Sequence, residues 1–377
     1  MLAASGASAV TIGFAQTGSE SDWRTAFSKD MQETAKKMGI ELKFSDAQQK
    51  EENQLKAVRS FIAQRVDAII IAPLVVSGWD QVLKEAKAAN IPVFLADRDV
   101  DTQDKSLFVT RISADFNLEG RLAGAWLAAA SKGSCQIVEL QGTVGSAPAI
   151  ERKKGFEAVL SLFPDMKIVK SQSGDFTTSG GKEVMESFIK ATNGLKGVCA
   201  VFAHNDNMQL GAIQAMKEAG LHPGKDALMV SVDGVPDMFK AMLAGDANCS
   251  VELKSDIGQY IYPVVLEYLK GKHDWPKWVK IPSDVHTPAD AAAVLKMRGG
   301  SPSGRVASSC GRERRPAAQP GAVLCLGRAL RPPQARTDKV GNGRGGRFKT
   351  PGRTARHHQE LSWRARARER GFSPRPR

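Results

Sequence analysis

Short apolar runs alternate with longer amphipathic segments over residues 10–270, and this alternation restricts the possible folds more than any other feature of the chain. The apolar runs have the length and composition of buried strands, and the segments between them repeat their apolar residues with helical spacing. Strands that alternate with helices build parallel sheets with helices on both faces. We therefore predict an α/β protein.

The stretch from 198 to 234 shows a repeating unit and its polar edge. The apolar run Val198–Ala203 predicts a buried strand, and Asn205 lies in the polar turn that follows it. The next predicted strand, residues 227–232, ends in the same way at Asp233. Both residues therefore lie at the carboxyl edge of one sheet, where open α/β sheets bind ligands. An amide and a carboxylate at this edge favour a neutral, hydroxyl-rich ligand over a phosphate.

The number of predicted strands indicates that the chain forms two lobes. Some eleven strands alternate with helices, and a strongly twisted sheet rarely holds more than about ten. A short strand at Leu107–Val109 is predicted to end the first series, and the pattern restarts at Ser113. We predict two Rossmann-like parallel-sheet lobes joined by a hinge that the chain crosses several times. The predicted segments are residues 10–112 plus 254–280 for lobe 1, 113–253 for lobe 2, and 281–297 for a final hinge crossing and the end of the fold.

Polar and aromatic residues follow the predicted strands and converge on the gap between the lobes. Carboxylates and amides pair with neighbouring hydroxyls, guanidinium groups donate in a fixed fork, and aromatic rings cover the C–H face of a sugar. This mixture predicts a sugar site. The candidate ligand-binding residues are Ser19, Glu20, Trp23, Asp97, Arg98, Arg152, Phe176, Asn205, Asp233 and Glu252.

Several of these candidates also have a structural interpretation. Asp97 and Arg98 could form a surface ion pair of little energetic weight. Arg152 could belong to a solvated basic helix face, and Trp23 and Phe176 could be ordinary core residues.

Motifs for catalysis, metal binding or a nucleotide cofactor do not occur in the sequence. The loop 142–146 lacks the Gly-Lys-Ser/Thr of a phosphate loop, and the turn near Gly13 lacks G-x-G-x-x-G. No nucleophile motif accompanies His204, which we interpret as structural. The cysteine spacings fit no zinc site. We therefore expect neither an enzyme nor a cofactor.

Two features bear on the cellular compartment. Cys135 and Cys199 each begin a strand of one predicted sheet, so they either form a disulfide in an oxidising compartment or remain two buried thiols. Residues 7–9 (Ala-Ser-Ala) resemble an export cleavage site without the charged and apolar regions that should precede it. We interpret residues 1–9 as the remnant of an export signal, and a short flexible terminus is the alternative.

The basic charge of the chain is confined to its carboxyl-terminal tail. Residues 298–377 hold 18 Arg, 2 Lys and 4 acidic residues, a net charge of +16, whereas residues 1–297 carry 33 basic and 36 acidic residues, a net charge of −3. The tail is rich in Gly, Pro and Arg and shows no sustained strand or helix period, so we predict disorder. It is either a non-native extension from a shifted reading frame or a genuine polybasic arm.

Several segments between about residues 10 and 297 resemble the type I periplasmic sugar-binding proteins that serve ABC importers. The segments include GFAQTGSESDWR, PVFLADRDVD, VELQGTVGSAPAIERKKGF, AHNDNMQLGAIQAMKEAGL and DGVPDMFKAM. The resemblance implies a monomeric periplasmic receptor whose two lobes close on one monosaccharide and which delivers that sugar to a membrane permease. It implies galactofuranose or a related galactose or pentose as the sugar, and by motif position it assigns ligand contacts to the ten candidates.

Two other functions fit parts of the pattern. The effector domain of a sugar-responsive repressor has this architecture, but it needs a helix-turn-helix before the first strand, and only nine residues precede Val10. Nucleic-acid binding through the tail would depend on salt and would be lost on truncation at 297. We expect no nucleic-acid partner.

Overall fold

The described part of the chain folds into two α/β lobes, each built around a six-stranded sheet. The structure is a computed structural model, and it describes residues 9–299. Nearly all of the predicted signal remnant and of the basic tail lies outside the described residues. The two-lobed α/β architecture predicted from the alternating pattern is confirmed.

The first segment of the chain forms most of lobe 1. Strands in its centre are buried on both faces, as expected for a parallel sheet covered by helices. Its elements are β1 (Thr11–Gln16), α1 (Asp22–Lys37), β2 (Glu41–Asp46), α2 (Glu51–Ala63), β3 (Ala68–Ile71), α3 (Asp80–Ala88), β4 (Val93–Ala96) and β5 (Arg111–Ala114).

The second segment forms most of lobe 2 and repeats the same alternation. Its elements are α4 (Phe116–Ala130), β6 (Ser134–Gln141), α5 (Ala147–Leu160), β7 (Asp165–Ser173), α6 (Thr178–Ala191), β8 (Ala200–Ala203), α7 (Asp206–Glu218), β9 (Leu228–Asp233), α8 (Pro236–Ala244) and β10 (Cys249–Glu252).

The last described segment returns to lobe 1 and then to lobe 2. Helix α9 (Gly258–Leu269) packs against α1, and β11 (Trp278–Ile281) pairs with β5. Strand β12 (Val285–His286) pairs with β10, and α10 (Ala291–Gly299) packs against α8. The chain therefore crosses between the lobes three times, after β5, after β10 and between β11 and β12.

The strand orders and pairings show at which edge of each sheet the candidate site residues lie. The order is β11-β5-β4-β3-β1-β2 in lobe 1 and β12-β10-β9-β8-β6-β7 in lobe 2. All neighbouring strands are parallel except the pair β10 and β12. Within each sheet the parallel strands therefore end at the same edge, and the loops after β1, β4, β6, β8 and β9 supply residues at that edge.

The predicted strand at Leu107–Val109 is wrong. Residues Lys105–Leu107 form a 3-10 turn, and the next strand is β5. Asp104 stabilises the turn because its carboxylate accepts a hydrogen bond from the N–H of Ser106 at 2.9 Å and its carbonyl accepts one from the N–H of Leu107 at 3.1 Å. Strand β5 pairs with β4 and continues the sheet of lobe 1 to Ala114.

Short polar side chains cap the helices that start at the carboxyl edges of the sheets. Ser21, Ser146, Thr177 and Asn205 each accept a hydrogen bond from the backbone N–H three residues further on. Such caps satisfy N–H groups that a helix leaves unpaired at its start. They fix where α1, α5, α6 and α7 begin, and so they fix the direction of the residues in each first turn.

The apolar faces of the helices pack into the cores of the two lobes. Phe14, Phe27 and Phe94 are fully buried in lobe 1, and Phe156 stacks on Phe202 in lobe 2 with ring centroids 3.9 Å apart. No helix within residues 9–299 has the length and hydropathy needed to cross a membrane.

A disulfide joins β6 to β8 at their amino ends. Cys135 and Cys199 are bonded, with their Cα atoms 5.5 Å apart, which is a normal separation for a disulfide. The bond lies at the opposite end of these strands from the carboxyl edge. Cys249, in β10, is a buried free thiol.

Candidate functional site

A buried cavity lies between the lobes at the carboxyl edges of the two sheets. Its lining combines charged, amide and aromatic side chains, most of which are shielded from solvent. Eight of the ten predicted candidates line it, namely Glu20, Trp23, Asp97, Arg98, Arg152, Phe176, Asn205 and Asp233. The other lining residues are Ser21, Arg24, Pro148 and Leu253.

Arg24 holds the two carboxylates of lobe 1 together. Its Nε lies 3.2 Å from Oε1 of Glu20, and its Nη2 lies 2.9 Å from Oδ2 of Asp97. Burial disfavours the charged form of Glu20, but the guanidinium groups of Arg24 and Arg98 outweigh burial and lower the pKa of this carboxyl group. Glu20 is therefore ionised at neutral pH and acts as a hydrogen-bond acceptor.

Arg98 contacts both lobes. Its Nη1 donates to the carbonyl oxygen of Leu74 at 3.0 Å, and its guanidinium carbon lies 5.4 Å from the ring centroid of Phe176 in lobe 2. Burial, with repulsion from Arg24, lowers the pKa of Arg98 to about 10. The guanidinium group is still charged at neutral pH, so it meets the aromatic ring as a cation.

Three side chains of lobe 1 leave one buried polar atom each without a hydrogen-bond partner among residues 9–299. These atoms are Oε2 of Glu20, Oδ1 of Asp97 and Nε of Arg98, and all three residues line the cavity. Such atoms are costly to bury unless something pairs with them. Two acceptors and one donor match the hydroxyl groups of a ligand, because a hydroxyl both donates and accepts.

Arg152 is the corresponding cation of lobe 2. Its Nε donates to Oε2 of Glu119 at 2.9 Å, its Nη1 donates to the carbonyl oxygen of His204, and its Nη2 lies 3.4 Å from Oδ1 of Asp233. Burial raises the pKa of Glu119 to about 7, although Arg152 opposes the shift. Burial likewise raises the pKa of Asp233 well above its ordinary value. The two carboxyl groups are held at one guanidinium group in an environment that disfavours their charge.

Phe176 and Asn205 form another part of the wall in lobe 2. Phe176 has a φ of +63°, a conformation that a bulky residue rarely adopts. Its carbonyl oxygen accepts a hydrogen bond from Nδ2 of Asn205 at 3.0 Å, while Oδ1 of Asn205 caps α7. Gly142 lies against the ring, since a Cβ atom there would come within 1.9 Å of it. Backbone and neighbour contacts together hold the ring at the cavity.

The lobes also touch each other directly, outside the cavity lining. The backbone N–H of Asp22 donates to Oδ1 of Asn207, and Nδ2 of Asn207 donates to Oδ2 of Asp22, both at 3.1 Å. We call these two residues the interlobe pair. At a second contact, the N–H of Val76 donates to the carbonyl oxygen of Gly145 at 3.0 Å. The lobes are therefore closed over the cavity, which explains why its charged lining is buried.

Two candidates from the sequence do not line the cavity. Ser19 is exposed to solvent. Glu252, at the end of β10, forms an ion pair with Arg298 of α10, and its other oxygen lies 3.9 Å from Nε2 of His286. Ligand contacts by Ser19 and Glu252 therefore stay predictions.

Arg24 is a lining residue that the sequence analysis did not identify. It lies in the first turn of α1, directly after Trp23 and four residues after Glu20. The available signal was this i, i+4 spacing of opposite charges at the cleft end of a helix. The indole N–H of Trp23 donates to the carbonyl oxygen of Leu253 at 2.6 Å, so Trp23 ties lobe 1 to the second crossing.

The arrangement suits binding by hydrogen bonds and aromatic contact. Arginine and carboxyl side chains contact one another at the cavity, and each arginine is held by at least one carboxylate or carbonyl group. In the part of the chain that the structure describes, no group of three or more His, Cys, Asp or Glu side chains could hold a metal ion. Two parallel-sheet lobes, three crossings and a closed polar cavity define a bilobal, hinge-bending binding protein.

The chain belongs to the periplasmic binding protein family. A family model described as a periplasmic binding protein domain matches residues 12–273. Among curated proteins, the galactofuranose-binding protein YtfQ of Escherichia coli (strain K12) is 54% identical over 293 residues, which cover 78% of this chain and 92% of that protein.

Two solved structures are similar as well. The binding component of the arabinose ABC transporter from Shewanella sp. ANA-3, bound to α- and β-L-arabinofuranose, is 57% identical with a TM-score of 0.75, covering 76% of this chain and 95% of that chain. A Mycobacterium smegmatis protein in complex with β-D-fucofuranose is 45% identical with a TM-score of 0.74, covering 78% of this chain and 96% of that chain.

Proposed function

We propose that this protein is the solute receptor of an ABC sugar importer and that it binds one monosaccharide in furanose form between its lobes. The unpartnered Oε2 of Glu20, Oδ1 of Asp97 and Nε of Arg98 carry this proposal. A sugar with neighbouring hydroxyls would satisfy all three atoms at once, whereas an apolar ligand would satisfy none of them.

The ring form of the sugar is inferred from the relatives. One is called galactofuranose-binding, and two were solved with arabinofuranose or fucofuranose. These relatives are between 45% and 57% identical to this chain. A five-membered ring is therefore the form that we expect this cavity to accept, with galactofuranose or a related galactose or pentose as the sugar.

Binding would act through closure of the lobes. Glu20, Trp23, Asp97 and Arg98 would hold the sugar from lobe 1, and residues of lobe 2 would complete the contacts, so that the sugar stabilises the closed form. Those residues are Arg152, Phe176, Asn205 and Asp233. The closed receptor would then deliver the sugar to a membrane permease from the periplasm, as a monomer and without chemical turnover.

Calorimetric titration of the full chain with D-galactose, L-arabinose, D-fucose, D-ribose and D-glucose tests the proposal. We expect one-to-one binding of galactose, arabinose or fucose, and we expect the anomeric carbon of bound [1-¹³C]sugar to have the chemical shift of a furanose. Binding of none of the five sugars would contradict the receptor function, and a bound pyranose would contradict the inferred ring form.

Asp97→Asn tests the site itself. It keeps the shape of the side chain but removes a charged acceptor, so it should weaken sugar binding about 10-fold or more. Asp99→Asn is the matched control, because Asp99 lies two residues away and pairs with Arg111 outside the cavity lining. Equal affinities of the Asp97 and Asp99 variants would remove Asp97 from the site.

A further inference from the structure

Glu119 is a fully buried carboxylate that does not line the cavity. It lies on α4, and its Oε2 accepts the hydrogen bond from Nε of Arg152 at 2.9 Å. Its Oε1 accepts a hydrogen bond from the hydroxyl of Ser283 at 3.2 Å. Ser283 lies between β11 and β12, in the third crossing between the lobes. One carboxylate therefore contacts both a cavity arginine and the hinge.

The orientation of Arg152 depends on its partners because a guanidinium group is planar and presents its N–H groups in a fixed fork. Glu119 holds the Nε side of the fork, while His204 and Asp233 hold the two Nη nitrogens. Removing the partner at Nε would leave the plane of the group free to tilt about the remaining contacts. The N–H groups that address the cavity would then lose their direction.

Close packing of two helices fixes Glu119 itself. Its neighbour Gly120 lies so near α5 that a Cβ atom there would come within 2.1 Å of the carbonyl oxygen of Arg152. The backbones of α4 and α5 are thus in contact beside the Glu119–Arg152 pair. The carboxylate has little freedom to follow Arg152 if that side chain moves.

We propose that Glu119 is a positioning residue for sugar binding, which orients Arg152 toward the cavity and links that orientation to the third crossing through Ser283. This inference rests on the proposed sugar-receptor function. Opening of the lobes rotates the chain at its crossings, so the bond between Ser283 and Glu119 is one that the hinge can strain or release. The geometry of the arginine then depends on whether the lobes are closed.

Glu119→Gln is the first test, because it preserves size and replaces the carboxylate that accepts from Arg152 with a neutral amide. Titrations are made well above the pKa of about 7 of Glu119, where the wild-type group is charged. The full-length variant is titrated calorimetrically with galactose or L-arabinose, whichever binds the wild type more tightly. We expect an affinity loss of about 10- to 100-fold, as for a hydrogen bond to a charged group. Glu151→Gln is the matched control, since Glu151 lies next to Arg152 in sequence and bonds to Asn117 and Lys154 instead.

A double-mutant cycle separates positioning from general structural support. If Glu119 acts through Arg152, Glu119→Gln should weaken binding much less in an Arg152→Lys background than in the wild type. Equal losses in both backgrounds would overturn the positioning role. Titration extends to millimolar sugar so that weak variants stay measurable, and circular dichroism shows that each variant is folded.

Ser283→Ala tests the link to the hinge, because it removes the hydroxyl that donates to Glu119 and leaves the Glu119–Arg152 pair in place. We expect a smaller loss of affinity, about 2- to 5-fold for one neutral hydroxyl donor. Wild-type affinity in this variant would overturn the hinge link. If the wild type binds sugar while Glu119→Gln binds as tightly, the inference about Glu119 fails and the proposed function stands. If the wild type binds no sugar, the proposed function fails, and the inference fails with it.

Discussion

Buried ionisable side chains at the cleft are tolerated because carboxyl groups there contact guanidinium groups. In lobe 1, Arg24 lies between Glu20 and Asp97, and in lobe 2 Arg152 lies between Glu119 and Asp233. A buried ion pair gains little net stability, but removing one partner is costly because the other charge is left unpaired. These pairs therefore fix the directions of polar atoms at the cavity more than they stabilise the fold.

Glu139 and His204 form a second pair of buried titratable side chains in lobe 2. Oε1 of Glu139 lies 3.1 Å from Nε2 of His204, and Oε2 lies 2.7 Å from Nζ of Lys153. Burial alone would raise the pKa of Glu139, but hydrogen bonds from His204, Lys153 and Ser171 outweigh it and lower the pKa to about 2. Burial and the nearby cations Arg152 and Lys153 lower the pKa of His204.

We predict that acidification destabilises the protein through this pair. Both groups have a higher pKa in the unfolded chain than in the folded protein. Unfolding therefore takes up protons, from pH 6.5 downward at His204 and from pH 4.5 down to about 2 at Glu139. The free energy of unfolding falls as the pH falls through these ranges. Glu139→Gln should lower the free energy of unfolding at pH 7 by about 1–3 kcal/mol and flatten its dependence on pH below 4.5. Urea unfolding from about pH 3 to about pH 7 measures both effects.

The control for this prediction is Glu157→Gln. Glu157 also contacts Lys153, at 3.1 Å, but it is half exposed. Glu157→Gln should change the free energy of unfolding little at any pH, as is usual when a surface ion pair is removed. A similar pH profile for the two variants would show that the acid sensitivity does not come from Glu139.

Residues of the site could be predicted where they directly follow a strand. Asp97 and Asn205 follow strands within one or two residues and Asp233 ends one, so sheet topology alone brings them together. Arg24 and Glu119 lie on helices and reach the site only through the packing of those helices. Trp23 and Arg152 also lie on helices, but the family resemblance assigned them by motif position. The exposure of Ser19 likewise depends on the exact start of α1, which the sequence pattern does not determine.

Among the elements, the pair α4 and α5 controls one side of the site. Their backbones come into contact through glycines, since a Cβ atom on Gly155 would lie 2.0 Å from the carbonyl oxygen of Asn117. Arg152 lies on α5 and its partner Glu119 on α4. The distance between the two helices therefore sets the geometry of that ion pair.

We predict that Gly155→Ala destabilises lobe 2 and weakens sugar binding. The added methyl group must push α5 away from α4, at a cost of about 1–3 kcal/mol or more for overpacking. Thermal unfolding and calorimetric titration measure the two effects. Gly220→Ala serves as the control, because its Cβ atom meets nothing within 4 Å, although its φ of +75° adds some strain.

The control should lower the melting temperature while leaving the affinity for sugar unchanged. If Gly155→Ala also leaves the affinity unchanged, the spacing of α4 and α5 does not control the site.

The order of elements could be predicted well because strand and helix periods are local properties of the sequence. The region after β4 was the exception. The apolar residues Leu107 to Val109 fit a strand by composition, but Asp104 turns the chain there, and the next strand begins only at Arg111. A capping hydrogen bond of this kind changes the local structure without changing the apolar pattern.

At the scale of the whole molecule, the closed form is stabilised partly by contacts that do not need a ligand. The interlobe pair makes two reciprocal hydrogen bonds, and Asn207 also donates to the hydroxyl of Thr178 at 3.2 Å. Asp22 is on lobe 1 and Asn207 is on lobe 2. The pair therefore shifts the balance between open and closed forms toward closure.

We predict that Asn207→Asp opens the receptor and speeds release of sugar. It sets a carboxylate against that of Asp22, and the loss of the pair should raise the dissociation rate about 5- to 10-fold with little effect on association. Stopped-flow tryptophan fluorescence measures both rates, since Trp23 lines the cavity. The double variant Asp22→Asn with Asn207→Asp exchanges donor and acceptor, so it should return the rate toward that of the wild type.

Failure of the double variant to slow release again would show that the effect of Asn207→Asp arises within α7 and not between the lobes.

The three crossings also determine when each lobe can be completed during synthesis. Sheet 1 ends with β11, in which Trp278 pairs with Arg111, and sheet 2 ends with β12, in which Val285 pairs with Val251. A chain made from its amino end therefore has two unfinished sheet edges until residues 278–286 exist. Pairing of β11 with β5 is slow, because the large loop between Arg111 and Trp278 must close first. The connections that let the lobes hinge thus also keep the nascent chain from completing its fold until almost all of the described residues have been made.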